Sequence, residues 1–245
     1  MTNKNARQIK KAVKKYHFNT VGNIKLGSGV WAWSTCHGDF ARDVLNIDGK
    51  PVTVKGTCGN CKDCQSSCYA AKAERMYPSV KLSRGINTWG IQNELDRVFD
   101  DLAGQIQRSR SVKIVRINQS GELTSKEELV KWIELALANP AIKFYVYTKM
   151  YKFVLWYLGK KGNDLPDNFF VLFSIWHKNG LKEYEKVKDR KNVKAFVYDD
   201  GVLNIKPTAY CPAYKGKHLD HDWTCDRCKL CYNGKGAKVI GCKAH

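Results

Sequence analysis

Hydrophobic residues recur along this chain with two different periods, most clearly between residues 81 and 205. Apolar positions spaced three to four residues apart predict helices, whereas short runs rich in β-branched and aromatic residues predict strands. The predicted helices cover residues 82–108, a segment that starts after Ser125 and stops at Asn139, residues 151–158, and residues 181–188. The predicted strands cover residues 112–117, 142–147, 168–175 and 193–198.

The second predicted helix has the clearest start signal. Ser125 is followed three residues later by Glu128, which is the spacing of a capping box. Leu129, Trp132 and Ile133 then fall on one helical face. The pattern therefore predicts a helix that begins at Ser125 and packs this face against a core.

Strands that alternate with helices imply right-handed βαβ units and a parallel sheet. We therefore predict an α/β fold that is (β/α) barrel-like, complete or truncated, with an open sheet as the alternative. Residues 1–27 are predicted to form a basic N-terminal arm, and residues 28–245 a single α/β domain. Within that domain, cysteine-rich segments at residues 51–80 and 206–245 are expected to flank the βα core.

Polar residues follow each predicted strand, at the end where α/β proteins place their chemistry. A carboxylate, an ammonium, an imidazole and amides together supply acids, bases and an electrostatic clamp. The candidate catalytic residues are Asn118, Ser120, Glu122, Lys149, His177, Asp199 and Asp200. The alternative is that these are ordinary loop residues, since Asp-Asp-Gly at 199–201 is a common turn signal.

The charge balance adds a partner to this picture. The chain has 42 Lys and Arg against 23 Asp and Glu, a formal net charge of +19. Such an excess predicts a polyanionic partner, namely nucleic acid, with DNA preferred to RNA. A lysine-rich protein without that partner is the alternative. The predicted nucleic-acid contacts are Lys10, Lys11, Lys14, Lys15 and Arg116.

The same composition bears on location. No stretch approaches the roughly 18 apolar residues of a membrane helix, and the N-terminus lacks the apolar region of a signal peptide. We therefore expect a cytoplasmic protein without membrane contact, and the sequence predicts no oligomeric state. In a reducing cytosol, closely spaced cysteines indicate metal ligation rather than disulfides.

Two cysteine runs carry the strongest motif in the chain. Cys58, Cys61, Cys64 and Cys68 have the C-x2-C-x2-C-x3-C spacing of bacterial ferredoxins, with Tyr69 in place of proline. The second run is C-x2-C-x2-C with a cysteine upstream, and its predicted ligands are Cys211, Cys225, Cys228 and Cys231.

Successive x2 gaps favour one or two [4Fe–4S] clusters, with Zn²⁺ as the alternative, because structural zinc usually binds two separated C-x2-C pairs. The spacing leaves open whether the runs make one site or two, and which roles Cys36, Cys242 and His245 have. Because the runs flank the βα segment, we expect them to stabilise the fold rather than to catalyse.

The chain also resembles a known family. The run of Cys58, Cys64 and Cys68, the segment Ser-Gly-Glu at 120–122, Cys211-Pro212 and the closing cysteine run resemble the phage "gene product 88" family over residues 30–232. That family typically has Ser-Gly-Asp at the second motif, so the acid here is longer by one methylene. The resemblance implies a protein of phage or mobile-element type. A weaker fold-level similarity links the layout to tRNA-guanine transglycosylases and their DNA-acting relatives, which use two carboxylates and a structural zinc.

These features together predict an enzyme that contains a metal cluster and modifies or exchanges a nucleobase in DNA or RNA. Glu122 or Asp199 would act as nucleophile or general base on a flipped or single-stranded base. One alternative is a nucleic-acid-binding or regulatory protein without chemistry. The other is a redox or radical enzyme that uses an iron–sulfur cluster directly, although both runs lack the C-x3-C-x2-C signature of radical-SAM enzymes.

Overall fold

The computed structural model describes residues 15–20, 25–59, 64–65, 68–212 and 223–242 of the 245-residue chain. The strands are β1 (Val30–Ala32), β2 (Ala41–Leu45), β3 (Pro51–Lys55), β4 (Ile114–Ile117), β5 (Lys143–Thr148), β6 (Phe169–Ile175), β7 (Val193–Tyr198), β8 (Ala209–Tyr210) and β9 (Val239–Cys242). The helices are α1 (Tyr69–Met76), α2 (Pro78–Asn93), α3 (Leu95–Gln107), α4 (Lys126–Leu137), α5 (Tyr151–Leu158), α6 (Lys178–Glu185) and α7 (Cys225–Cys228), followed by a 3₁₀ helix (Leu230–Tyr232).

Seven strands form one sheet in the order β1-β4-β5-β6-β7-β9-β8, and every neighbouring pair is parallel. Strands β4 to β7 are neighbours in both sequence and space, because α4, α5 and α6 carry the chain back between them. The predicted α/β fold with a parallel sheet is thereby confirmed. Strands β2 and β3 form a separate antiparallel hairpin between β1 and the first cysteine run.

The predicted barrel closure is wrong for the part of the chain that the structure describes. The sheet is open there, with β1 at one edge and β8 at the other. These edge strands have three and two residues, whereas β6 has seven. Edges this short offer few free backbone groups to a further strand, which explains why the sheet ends at them.

The two faces of this sheet differ in what covers them. On the helix face, which we define as the face packed against α3 to α6, alternate strand residues such as Val115, Phe144 and Val171 join one apolar core with Leu102 and Trp132. Because successive strand residues point to opposite sides, their sequence neighbours lie on the other face.

The opposite face carries a smaller apolar cluster that includes Tyr145, Phe170 and Ile240. The segment with the second cysteine run packs onto it through Tyr232 and the neighbouring cysteines. Lys194 also lies on this face and is 2% exposed. Its pKa is lowered because burial opposes the charge. The opposite face is thus covered by a cysteine-rich segment with short helical turns instead of long helices.

Several element boundaries differ from the sequence pattern. The single helix predicted at 82–108 is two helices, since Glu94 leaves the helical conformation with φ −137° and ψ 46°. The carboxylate of Glu94 accepts hydrogen bonds from the Tyr16 hydroxyl (2.9 Å) and from Arg97. These two bonds stabilise the interruption between α2 and α3. Residues 41–45 and 51–55, for which we predict no elements, form the hairpin.

The predicted cap of α4 is confirmed. Ser125 Oγ accepts the backbone N–H of Glu128 at 3.1 Å. Glu128 reaches back to Thr124 instead of Ser125, accepting from both the backbone N–H and the hydroxyl of Thr124 at 2.7 Å, and it also accepts from Trp132 Nε1. These three hydrogen bonds of the buried carboxyl therefore all serve the first half of α4 and the residue before its cap.

A buried ion cluster attaches the first cysteine run to the rest of the fold. Glu74 in α1 pairs with Arg42 of the hairpin at 2.7 Å and with Arg84 of α2 at 3.2 Å. His37 Nδ1 lies 3.0 Å from the same carboxylate. Because α1 follows Cys68 directly, these contacts fix where the run ends.

No helix within the described ranges is long and apolar enough to span a membrane.

Candidate active site

The loop after β4 is shaped by close packing against the chain after β1. Ser120 Oγ donates to the carbonyl of Thr35 at 2.9 Å. Gly121 has φ +83°, and a Cβ there would overlap the hydroxyls of Thr35 and Thr57. The loop therefore requires glycine at 121 and turns Glu122 back over the end of β5. Ser120 holds this loop, so its hydroxyl is already engaged.

Glu122 is buried at the carboxyl edge of the sheet, by which we mean the edge where β4 to β7 end. It accepts from Thr148 Oγ1 at 2.8 Å and from the backbone N–H of Lys149 at 3.0 Å. Burial raises the pKa of Glu122 to about 7, although Lys149 and the Thr148 hydroxyl act in the other direction. A carboxyl with this pKa exchanges its proton near neutral pH, as a general acid–base must.

Lys149 joins this carboxyl to the first cysteine run. Its ammonium Nζ donates to Cys64 Sγ at 2.9 Å. Burial lowers the pKa of Lys149, but the hydrogen bond and charge of Cys64, together with Glu122, raise it overall. The Tyr69 hydroxyl, just after Cys68, donates to the Gln119 carbonyl. Cys64 and Tyr69, the described parts of this segment that make these contacts, therefore lie at the carboxyl edge, which corrects our expectation that both runs only flank the βα core.

Asn118 is the least satisfied polar side chain at this edge. It is 4% exposed and has a left-handed backbone, with φ +50°. Among the described residues neither Oδ1 nor Nδ2 of Asn118 has a hydrogen-bond partner, and the same holds for Nε of Arg116. Buried amides are almost always bonded, so the side chain of Asn118 has a donor and an acceptor available to a ligand.

An aromatic pair extends the edge toward β6 and β7. Trp176 and Tyr198 are stacked, with ring centroids 4.4 Å apart and planes at 10°. Lys149 Nζ lies 5.9 Å from the Trp176 ring. The pair gives the site a flat apolar wall beside the ammonium.

Three predicted catalytic residues have other partners or positions. Asp199 Oδ2 accepts from the Tyr210 hydroxyl at 2.6 Å. Asp200 Oδ1 accepts from the backbone N–H of Val202 at 2.9 Å, which is the ordinary turn role. His177 is exposed at the position that precedes α6. The structure thus joins Glu122 and Lys149, while Asn118 lies at the end of β4 without a hydrogen bond to either among the described residues, and the two aspartates have turn and strand partners of their own.

Part of the predicted nucleic-acid and metal sets lies outside the described residues. This applies to Lys10, Lys11, Lys14, Cys61 and His245. Lys15 is exposed. Arg116 lies on the opposite face, with its guanidinium carbon 5.0 Å from the Tyr147 ring centroid. Cys36 is fully buried, and burial raises the pKa of its thiol, so it packs as a small apolar side chain.

The second cysteine run forms its own arrangement on the opposite face. One cavity is lined by all four predicted ligands together with Tyr145 and Tyr147; the four are Cys211, Cys225, Cys228 and Cys231. The Tyr147 hydroxyl lies 2.7 Å from Cys231 Sγ. Burial raises the pKa of the Cys225 and Cys231 thiols above the usual value. Across the described ranges no three His, Cys, Asp or Glu side chains are already placed to hold a metal ion, so the sulfurs share a cavity without meeting at one point.

Sequence reasoning missed Lys194 and Thr57. Thr57 Oγ1 accepts the backbone N–H of Glu122 at 2.9 Å and so positions the carboxyl; an isolated threonine before a cysteine gives no signal of this. Lys194 does give a sequence signal, because a lysine inside the apolar strand β7 is unusual for a buried parallel sheet.

Comparison with known proteins places these observations in a family. The family model described as Gene product 88 matches residues 3–234. Over 219 residues the chain is 24% identical to the Gene 88 protein of Mycobacterium phage L5, covering 81% of this chain and 87% of that protein. No solved structure matches the chain significantly. These comparisons do not test the weaker similarity to guanine transglycosylases, and the open sheet of the described residues differs from the closed barrel that this similarity implied.

Proposed function

The chain belongs to the Gene product 88 family, and because that description names no activity, we propose its function from the carboxyl edge of the sheet. We propose an enzyme that modifies or exchanges a nucleobase of a nucleic acid. Glu122 serves as its general acid–base, and Cys58, Cys64 and Cys68 bind a metal centre beside it.

One observation carries this proposal, namely the chain of contacts from Glu122 through Lys149 to Cys64. Burial raises the pKa of this carboxyl to about 7, its Oε1 accepts from the backbone N–H of Lys149, and the ammonium of the same lysine donates to the thiol at 2.9 Å. Proton transfer needs a group that titrates near the working pH, and a neighbouring ammonium stabilises negative charge that develops on a substrate. A carboxyl, a cation and a thiol at the ends of β4 and β5 meet both requirements.

A nucleobase fits the remaining groups at this edge. The free amide of Asn118 offers one donor and one acceptor, the pair that asparagine uses to read the edge of adenine. Stacked Trp176 and Tyr198 form a wall on which a base can lie. The net charge of +19 favours a polyanionic substrate over a neutral metabolite.

The metal part of the proposal rests on the chemistry of the first cysteine run. Thiolate sulfurs select iron–sulfur clusters or zinc. A bound centre would supply an electron if it is a cluster, or a Lewis acid if it is zinc. The ammonium of Lys149 would hold the Cys64 sulfur in place and offset its negative charge.

A redox or radical enzyme is the second candidate, and the same contact favours it. The bond between Lys149 and Cys64 brings the run to the edge where substrates bind in parallel α/β sheets. Anaerobic purification followed by a visible spectrum tests this candidate. A colourless protein with stoichiometric zinc would exclude it.

The catalytic proposal is tested with two buried glutamates. Wild-type chain, Glu122→Gln and Glu128→Gln are each expressed in a bacterial host, and the nucleosides of its DNA and RNA are analysed by mass spectrometry. Glu128 is the matched control because it is also buried, and its carboxyl bonds Thr124 and Trp132 within the described ranges. We expect a nucleoside of altered mass with the wild type and Glu128→Gln, and its loss with Glu122→Gln.

Two outcomes would contradict the proposal. If the host nucleosides are identical with and without the wild-type chain, the proposal that the substrate is a nucleobase is wrong. A product that persists at the wild-type level in folded Glu122→Gln would remove the general acid–base role, and the next carboxyl to test would be Asp199.

A further inference from the structure

The second cysteine run folds into a tight knuckle. Cys225 and Cys228 lie one turn apart in α7, so their side chains share one side of the helix. Lys229 then adopts a left-handed conformation, with φ +58°, and reverses the chain. The 3₁₀ helix that follows carries Cys231 back toward the same side. A non-glycine residue keeps this conformation only where its surroundings enforce it.

The fourth cysteine reaches the knuckle from the far edge of the sheet. The backbone N–H of Cys211 donates to the carbonyl of Gly241 at 2.9 Å, which fixes it beside β9. Its side chain lines the same cavity as those of Cys225, Cys228 and Cys231. Four cysteines from two separate chain segments therefore line one cavity, although within the described ranges their sulfurs do not yet meet at one point.

Two cations adjoin this cavity on the opposite face of the sheet. The ammonium of Lys194 donates its three hydrogens to the carbonyls of Leu230, Asn233 and Ala237, at 2.8, 2.7 and 3.0 Å. The guanidinium of Arg116 lies over Tyr147, whose hydroxyl contacts Cys231. No carboxylate forms an ion pair with either cation among the residues that the structure describes.

We propose that Cys211, Cys225, Cys228 and Cys231 hold a second metal centre, separate from the one at the carboxyl edge. A dipositive core bound by four thiolates carries a net charge of about −2, whether the core is zinc or a [4Fe–4S] cluster. Arg116 and Lys194 balance that charge. Burying a charge without a counter-charge costs free energy, and one negatively charged metal centre would supply the counter-charge for both cations.

The second centre is a closed structural site. Four protein ligands leave no open position for a substrate, which distinguishes structural from catalytic sites. Tyr147 and Tyr145 cover it from β5, and the Tyr147 hydroxyl is placed to donate to the Cys231 sulfur. The centre would fasten the 3₁₀ helix onto the sheet, where Tyr232 already packs.

Metal counting on the purified full chain tests the site. Cys225→Ser/Cys228→Ser removes two ligands of the second run, Cys64→Ser/Cys68→Ser removes two of the first, and Cys36→Ala is the control with a buried cysteine outside both runs. We expect the first double variant to lose one centre by elemental analysis and the control to lose none. Metal content equal to that of wild type in Cys225→Ser/Cys228→Ser would overturn the proposal. A visible spectrum of Cys64→Ser/Cys68→Ser then identifies the remaining centre as iron–sulfur or zinc.

A second measurement does not depend on the folding of a cysteine variant. Arg116→Met removes the guanidinium proposed to balance the charge of the centre. The control, Arg227→Gln, removes an exposed guanidinium from α7 itself. We expect Arg116→Met to release metal to a chelator about tenfold faster than wild type, the usual scale of an outer-shell change. If both variants release metal at the same rate, the proposal that Arg116 balances the charge of a metal centre is wrong. Because neither variant touches Glu122, these results are independent of the proposed nucleobase activity.

Discussion

The two faces of the central sheet are built from the same strands but held by different forces. In β5, Phe144 and Val146 point into the helix face, while Tyr145 and Tyr147 point to the opposite face. The helix face is a dry apolar core, whose stability follows from the area that it removes from water. The opposite face carries cations, phenols and thiols, and each of these needs a specific partner. Alternation along one strand thus separates an apolar face from a face whose buried polar groups each need a specific partner.

The comparison also explains why burial by itself does not mark a functional residue. Glu122 and Glu128 are both buried, and burial raises the pKa of both. Glu128 spends its acceptors on the start of α4. Glu122 faces the carboxyl edge, where its neighbour Lys149 reaches a cysteine. The difference lies in the partners, and they lie beyond the local sequence.

The largest expected effect is on the helix face. Phe144→Ala leaves a cavity among fully buried side chains, and we expect the free energy of unfolding to fall by about 3–5 kcal/mol. Urea denaturation measures this loss, and metal content should stay that of wild type. A loss below about 1 kcal/mol would mean that this face does not carry the stability of the fold.

A smaller loss is expected on the opposite face. Lys194→Met leaves three partly buried carbonyls without their donor, and because water can replace part of this bonding, we expect a total loss of about 1–3 kcal/mol together with weaker metal retention. The control is Lys191→Met, an exposed lysine three positions earlier, which should change stability little. If both variants unfold at the same urea concentration, Lys194 has no structural role.

The pH dependence of stability reports on Glu122. Its carboxyl keeps a proton up to about pH 7 in the folded chain but loses it near pH 4.5 when unfolded. The folded state therefore binds more protons between these values, and this group lowers stability as pH rises through the window, by at most about 3 kcal/mol. Glu122→Gln should lack this decline when urea unfolding is compared from pH 4.5 to 8. Parallel pH profiles of wild type and variant would show that the pKa is not raised.

The smallest expected effect concerns the cap of α4. Ser125→Ala removes the acceptor for the N–H of Glu128 and should cost about 1 kcal/mol. Thermal unfolding at constant metal load is sufficient to detect it. A change in metal content would be unexpected, since α4 lies on the helix face, and would indicate that the two faces are coupled.

Much of the βα core was predictable because its signals are local. The strand at 193–198 and the helix at 151–158 are confirmed at the predicted residues, and so is the cap at Ser125. Barrel closure was wrong, since it depends on whether edge strands pair, and β8 and β9 come from a cysteine-rich segment without a strand pattern. Of the predicted catalytic residues, Asp199 and Asp200 resembled Glu122 in sequence, and only their partners separate them.

The sequence by itself determined the alternation of strands and helices, the two cysteine runs and the family. Periodicity and ligand spacing are properties of neighbouring residues, so they can be read without a fold. Only the tertiary structure decided that the first run reaches the carboxyl edge beside Lys149, and that Arg116 and Lys194 lie near the second run. Contacts between residues 85 positions apart, such as Cys64 and Lys149, depend on how the sheet brings distant loops together, and no local pattern encodes that.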